Sequence, residues 1–148
     1  MSKIEELIQQ YCPDGVVYKT IKEVSNVGTG SNNGNESTVN GKYPLFVRSK
    51  IIKKIDKFEF DEEAIIIPGE GGIGDIFHYI KGKYALHQRA YRIHIINNEL
   101  STKFIYYYMI SMFKSFIIQK AVNEPVSSIR KPMIELFPIH IPPLPVQE

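Results

Sequence analysis

The chain has 148 residues, the size of one domain, and its 43% hydrophobic and 23% charged residues are typical of a folded protein with a single core. Its 18 basic and 16 acidic residues leave a net charge of only +2, which excludes a histone-like or polybasic tail protein. The total conceals a pattern, since residues 41–57 sum to +5, residues 58–75 to −6 and residues 76–94 to +4. Two basic segments therefore flank an acidic one.

Several other protein classes are excluded by single features. One cysteine, Cys12, excludes a disulfide framework and a cysteine-based zinc cluster. The first residues lack a signal-peptide pattern. The most apolar stretch, residues 104–118, is interrupted by serine and lysine and is too short for a bilayer, which takes about 20 apolar residues. We therefore expect a cytoplasmic protein without a membrane partner.

The first third of the chain predicts a helix, a short extended segment and a long polar loop. Residues 3–11 place four apolar side chains on one helical face, and the turn residues 12–15 end that helix. Residues 16–27 predict extended structure with a helical turn around 20–24. Residues 28–41 hold four glycines and four asparagines, and a loop of this length suggests a function.

The middle of the chain predicts strands. Residues 43–47 and 64–67 are short apolar runs of strand type, with the basic segment 48–57 between them. A glycine-rich turn at 68–74 precedes a strand at 75–80. Residues 81–83, Lys-Gly-Lys, predict a hairpin turn, and residues 84–96 predict the returning strand.

The last third predicts the longest helix. Ser101 can cap a helix that runs to about Lys120, and its apolar residues lie nearly all round, which is typical of a core helix. Residues 128–136 predict a brief helix and residues 137–141 a last strand. The proline-rich residues 142–148 leave the body of the domain.

Two glycine motifs invite a phosphate-binding interpretation. Gly69, Gly71 and Gly74 match the dinucleotide fingerprint, but that fingerprint needs a helix immediately afterwards, and residues 75–80 are β-branched and aromatic. The alternatives are a hairpin where two backbones approach closely, or amides that face a phosphate backbone. The loop Gly28-Thr29-Gly30-Ser31 is either a plain surface loop or a donor of hydrogen bonds to phosphates and base edges.

Catalytic and metal-binding patterns are weak. The histidines share no metal-ligand spacing, and His78 lies beside core positions of its strand. A paired-carboxylate site would have to come from the acidic segment, which we interpret instead as a solvated face (Glu59, Asp61, Glu62, Glu63). We expect no catalytic residue, no metal ligand and no bound cofactor.

The basic residues favour nucleic acid more than any other ligand. Arg48, Lys50, Lys53, Lys54 and Lys57 follow a strand, and His87-Gln88-Arg89 lies at a later turn. Arginine and glutamine read guanine and adenine in the major groove, and lysine contacts phosphates. Charge alone leaves a solvated lysine-rich face as an equal alternative.

The order of the segments resembles a known family. Six segments carry the resemblance: LIQQYCPDGVVYKTIKEV at 7–24, the glycine loop at 28–30, YPLFVR at 43–48, GEGGIG at 69–74, GKYALHQ at 82–88 and IHIPPLPVQE at 139–148. Across essentially the whole chain they resemble the target-recognition domain of specificity subunits of type I restriction–modification systems.

The resemblance implies a fold and a set of partners. It implies an α+β domain with a curved, partly barrel-like sheet at 1–141, and a lead into a spacer helix at 142–148. Such subunits read a bipartite sequence in double-stranded DNA, one recognition domain for each half-site. They hold modification (methyltransferase) subunits, which carry S-adenosylmethionine, and a separate restriction subunit cuts. A second recognition domain or half-subunit is then a further partner, and this chain is expected to have no enzymatic activity.

The resemblance also implies which residues contact DNA. The expected contacts lie in the matching loops: Thr29, Gly30, Ser31, Arg48, Ser49, Lys50, Gly71, Gly72, His87, Gln88, Arg89, Ser127 and Lys131. Lys53, Lys54 and Lys57 are assigned to phosphate attraction. Two other interpretations stay open, a protein-interaction module that docks a partner through helix 101–120 and the proline-rich end, and a nucleotide-binding enzyme that rests on the Gly69 motif.

Overall fold

A computed structural model describes residues 17–33, 35, 37–47, 50–69, 74–98, 100–120 and 130–141. The strands are β1 Val17–Thr20, β2 Ser25–Thr29, β3 Tyr43–Phe46, β4 Ile52–Ile55, β5 Phe60–Pro68, β6 His78–Leu86, β7 Ala90–Ile95 and β8 Pro138–Ile141. The helices are α1 Ile21–Val24, α2 Thr102–Lys120 and α3 Lys131–Glu135.

The main sheet has six strands in the order β2-β7-β5-β6-β3-β4. Its pairs are antiparallel except for β3 with β6, which run parallel. β1 and β8 form a separate antiparallel pair. Among the described strands β2 and β4 are the edges of the main sheet, so the α+β class is confirmed, while the sheet is open and not a closed barrel.

β5 lies at the centre of the sheet and is buried on both faces. On one face, Ile65 and Ile67 pack against α2, whose residues Ile105, Met109, Phe113 and Ile117 recur every fourth position and are buried. On the other face Ala64 and Ile66 pack with a smaller cluster formed by Phe46, Tyr84, Leu86 and Ala90. A strand that is covered on both faces has a continuous run of apolar residues in its sequence, and residues 64–67 are such a run.

The sequence predicts a core helix with apolar residues nearly all round, but α2 is buried on one side only. Tyr107, Ile110 and Ile118 are exposed, because the helix lies on one face of the sheet and only its inner stripe is covered. Its predicted start is confirmed: the Ser101 hydroxyl accepts a hydrogen bond from the Phe104 amide at 3.3 Å. No helix in the described part of the chain is both long and apolar enough to cross a membrane.

The hairpin turn predicted at 81–83 is wrong. Residues 81–83 lie inside β6, where Lys81 pairs with Glu63 and Lys83 with Asp61 of β5. Opposite charges on paired strands favour this register, and Gly82 between them adopts a φ of +136° without interrupting the strand. The turn lies instead at 87–89, between β6 and β7.

The other predicted elements fall into three groups. The helical turn around 20–24, the brief helix within 128–136 and the last strand are confirmed as α1, α3 and β8. Strand β4 was missed, because its residues 52–55 were read only as part of a basic segment. The predicted helix at 3–11, the turn at 12–15 and the proline-rich segment 142–148 lie outside the described residues.

Replacement of Phe113 by alanine tests this packing. The Phe113 ring is fully buried and makes edge contacts with Phe77 and Phe137, so its removal leaves a cavity and should lower the free energy of unfolding by about 3–5 kcal/mol. Ile118→Ala on the exposed side of the same helix should change it by less than about 0.5 kcal/mol. Urea denaturation of both variants measures the difference; equal losses would contradict the one-sided packing of α2.

Candidate nucleic-acid interface

Two segments that the sequence marked as candidate DNA contacts lie at the same end of the sheet. Ile52 of β4 pairs with Phe46 of β3, which pairs with Leu86 of β6. β3 ends at Phe46, β4 begins at Ile52, and the chain turns after Leu86 through 87–89. The end of β3, the start of β4 and the turn are therefore neighbours, with β4 and β6 about 10 Å apart at the usual strand spacing.

The glycine loop lies alongside that turn. The Gly30 amide donates to the His87 carbonyl at 3.2 Å, the Asn32 amide to the Leu86 carbonyl at 3.1 Å, and the Gln88 amide to the Asn32 carbonyl at 2.8 Å. Asn32 and His87 thus form a parallel bridge. We call residues 29–32 and 87–89 together the strand-end cluster.

The turn at 87–89 is held from several sides. The His87 amide donates to the Phe46 carbonyl at 2.9 Å, and the Gly69 amide donates to the Arg89 carbonyl at 3.0 Å. The Arg89 amide donates to His87 Nδ1 at 2.9 Å, so the nearly buried imidazole supports the turn from inside. Gln88 and Arg89 are exposed on this anchored backbone.

Close backbone approach explains glycine at two positions of this interface. A Cβ atom at residue 30 would overlap the Leu86 carbonyl, and one at residue 69 would overlap the Arg89 carbonyl. For Gly69 this supports the interpretation of a glycine-rich hairpin with two backbones in contact. The dinucleotide interpretation fails, because Gly74 and Asp75 lie in a turn that leads to strand β6 and not to a helix.

Glu59 binds the glycine loop and Leu86, the last residue of β6 before the turn. Its carboxylate accepts hydrogen bonds from the Ser31 amide at 3.2 Å, the Ser31 hydroxyl at 2.8 Å, the Leu86 amide at 3.1 Å and the Asn32 side-chain amide. No local sequence pattern indicates this role, because the partners are 27 and 28 positions away.

The acidic segment is therefore not the solvated face that we expected from the sequence. Besides Glu59, Glu63 accepts a hydrogen bond from the Tyr79 hydroxyl, and Glu62 is bound to Arg92. Of the four carboxylates, Asp61 alone is classed as exposed. The difference arises because side chains alternate between the two faces of a strand and find partners on neighbouring strands. A count of charges along the sequence contains neither effect.

The backbone amides of the glycine loop are already used within the protein. The amides of Gly30 and Asn32 donate to β6 and its turn, and that of Ser31 donates to Glu59. The loop therefore does not present these amides to a phosphate, contrary to one interpretation of the sequence. Thr29, Gln88 and Arg89 are the exposed side chains of the cluster besides Ser31.

An ion pair lies on the sheet face opposite α2. Arg92 donates two hydrogen bonds to Glu62, at 2.8 and 2.9 Å, and the Tyr84 hydroxyl donates a third at 2.8 Å. Burial raises the pKa of Glu62, but the bonds from Arg92 and Tyr84 outweigh it and the pKa lies below its ordinary value. Arg92 also covers the Phe60 ring and pairs in register with Gly28, so this basic residue supports β2 from within the domain.

The remaining candidate residues divide into three groups. Lys50, Lys53 and Lys54 are exposed at or beside β4, and Lys53 and Lys54 point to opposite faces because successive strand residues alternate. Lys131 begins α3, which packs against α1 and β2, so the contacts of α3 do not join it to the strand-end cluster. Arg48, Ser49, Gly71, Gly72 and Ser127 lie outside the described residues.

Within the described part of the chain, no group of three histidine, cysteine or acidic residues could hold a metal ion.

Solved structures share this fold. The crystal structure of a type I restriction–modification S subunit from M. genitalium superposes with a TM-score of 0.64 at 21% identity, over 84% of this chain and 34% of that one. The HsdS subunit from Thermoanaerobacter tengcongensis gives 0.63 at 12% identity, over 97% of this chain and 39% of that one. The fold is thus that of one part of a specificity subunit.

Sequence comparison gives the family. The model of the type I restriction modification DNA specificity domain matches residues 13–148, and the chain belongs to this family. The type I restriction enzyme EcoDI specificity subunit of Escherichia coli is 28% identical over 129 residues, which are 86% of this chain and 28% of that subunit. The chain therefore spans less than a third of the length of this relative.

Gly30→Ala tests the contact between the loop and β6. The added methyl group has no room beside Leu86, so we expect the free energy of unfolding to fall by about 2 kcal/mol or more. Gly28→Ala is the matched control, since its nearest neighbour, Arg92 Nη1, would lie at an ordinary 3.5 Å. Thermal or urea unfolding compares the two variants. A Gly30→Ala protein as stable as Gly28→Ala would show that the loop does not lie against β6.

Arg92→Met tests the ion pair through its pH dependence. Loss of Arg92 leaves the Glu62 carboxylate buried without its cation, which should cost about 3 kcal/mol at neutral pH. The pKa of Glu62 in the folded protein lies below its ordinary value of 4.5. The pair therefore stabilises the wild-type protein above pH 4.5, and this stabilisation is lost as the pH falls through the lower pKa of the folded state.

The expected result is a difference in the free energy of unfolding between wild type and Arg92→Met that shrinks as the pH falls below 4.5. Urea denaturation across this range measures it. The double variant Glu62→Gln with Arg92→Met should recover part of the stability at neutral pH, because no buried charge remains. A difference that stays constant with pH would show that Arg92 acts through packing alone.

Proposed function

We propose that this domain reads one half of a bipartite target in double-stranded DNA, with the strand-end cluster and the exposed lysines at and beside β4 facing the duplex. The observation that carries the proposal is the exposure of Gln88 and Arg89 on an anchored turn, in a chain of the DNA specificity family. Arginine and glutamine side chains make the bidentate contacts that distinguish guanine and adenine in the major groove.

The lysines at and beside β4 supply attraction to phosphates. Lys50, Lys53 and Lys54 are exposed, and the register places β4 two strands from β6, the strand that leads into the turn of the strand-end cluster. Phosphate contacts position a protein on DNA and carry no sequence information. The division of labour is then lysine for affinity, and Gln88 and Arg89 for sequence.

The remaining parts of the proposal concern partners. In this proposal the domain has no catalytic activity of its own, and methyl transfer belongs to modification subunits that carry S-adenosylmethionine. A second recognition domain or half-subunit reads the other half-site, and a restriction subunit cleaves unmodified DNA. The membership of the chain in the specificity family supports these partners.

Arg89→Ala and Lys53→Ala separate the two roles. In a reconstituted methyltransferase complex, Arg89→Ala should change which half-site is methylated, because one good bidentate base contact is worth about 1–3 kcal/mol of discrimination. Lys53→Ala should weaken all sites alike and reduce the salt dependence of binding by about one phosphate contact. Sequencing of methylated positions and binding titrations at several salt concentrations measure the two effects.

Random duplex DNA at low salt provides the independent control. A DNA reader should show binding to it that falls with salt, whereas a protein-docking module should show none. If both variants left methylation of the cognate site unaltered, the assignment of these residues would be wrong.

A further inference from the structure

The position of Glu59 is unexpected for a surface that faces a polyanion. Its carboxylate lies in contact with the strand-end cluster, among the side chains proposed to touch DNA. A negative charge close to phosphates opposes binding, so Glu59 does not contribute attraction. What it contributes must come from the groups that it holds.

Those groups belong to the glycine loop and to Leu86, the residue that leads into the turn. Glu59 Oε2 accepts from the amide and hydroxyl of Ser31, at 3.2 and 2.8 Å, while Oε1 accepts from the Leu86 amide at 3.1 Å and from the Asn32 side chain. The Glu59 amide in turn donates to the Tyr84 carbonyl at 2.9 Å, which ties its own backbone to β6. Main-chain hydrogen bonds already join the glycine loop to Leu86 and the turn, and the Glu59 carboxylate adds a side-chain link between the same two segments.

We propose that Glu59 is a positioning residue for DNA sequence discrimination, and the proposal rests on the function proposed above. By binding Ser31, Asn32 and the Leu86 amide, the carboxylate reinforces the main-chain bonds and restricts how far Thr29 can shift relative to Gln88 and Arg89. Base-edge contacts require side chains placed to within a fraction of an ångström, whereas attraction to phosphates does not.

Glutamine at this position isolates the effect. A carboxylate offers two acceptor oxygens, and the donors here occupy both of them. Glutamine keeps the size but replaces one oxygen by an NH2 group, which faces a donor in either orientation. Glu59→Gln should therefore break the side-chain link between the loop and Leu86 and loosen the cluster, while the main-chain bonds remain. Glu59→Asp keeps both acceptors on a shorter side chain.

The experiment selects duplexes from a random-sequence library with the full chain and then compares binding of the selected duplex with binding of its scrambled form. We expect the wild-type protein to select a motif. Glu59→Gln should lose about tenfold or more in preference for that duplex, while its affinity for the scrambled duplex is unchanged or higher because a negative charge has been removed.

Two controls separate positioning from charge and from folding. Asp61→Asn removes the same charge from an exposed neighbouring position and should keep the wild-type preference. Glu59→Asp should retain a preference between those of wild type and Glu59→Gln. In nuclear magnetic resonance spectra, the amide protons of Ser31 and Leu86 should move upfield in Glu59→Gln, since both lose a charged acceptor, while most other resonances stay in place.

The opposing outcomes are distinct. Wild-type preference in Glu59→Gln, equal preference in Glu59→Asp and Glu59→Gln, or parallel loss of binding to selected and scrambled duplexes would each overturn the role of Glu59. Failure of the wild-type protein to select any motif would overturn the proposed function, and the inference with it.

Discussion

The central strand β5 is the constraint on which the other features depend. It pairs with β6 on one side and β7 on the other, and its side chains have three different environments. Ile65 and Ile67 face α2, Glu62 faces Arg92 on the opposite side, and Glu59, just before the strand, binds the strand-end cluster. A register slip of one residue would reverse all of these assignments together. The register that forms the hydrophobic core is therefore also the one that positions the proposed DNA-reading surface.

The same strand explains why segment charges misrepresent the surface. Residues 76–94 owe their +4 to Lys81, Lys83, Arg89 and Arg92. β5 places a carboxylate opposite Lys81 and Lys83 in register and pairs Arg92 with Glu62. Arg89 is the basic residue of this segment that lies in the turn, outside the strand pairing. The basic residues left for the proposed surface are therefore Arg89 in the turn and the exposed Lys50, Lys53 and Lys54 at or beside β4, and the acidic segment is interleaved with the basic ones.

Sequence patterns predicted this fold where the signal is local. The Ser101 cap and the helical turn at 20–24 depend on neighbours a few positions away, and both are present. Lys81-Gly82-Lys83 has an equally local turn signal, but seven residue pairs between β6 and β5 outweigh it. The predicted site was incomplete for a related reason. Gln88 and Arg89 were identified by residue type, whereas Glu59 acts on residues 27 and 28 positions away, and such partners become visible only when the strands are placed.

The hydrogen bonds of the strand-end cluster also indicate how its specificity is divided between backbone and side chains. The bonds of Gly30, Asn32 and Gln88 join main-chain atoms, so they do not depend on which side chain is present at 29, 88 or 89. The positions that do constrain the residue type are those where backbones touch, Gly30 and Gly69, and the carboxylate at 59. Exposed side chains can thus change without loss of the backbone that presents them. On physical grounds, a new half-site would require new side chains at the exposed positions of the turn and loop and an unchanged carboxylate beneath them.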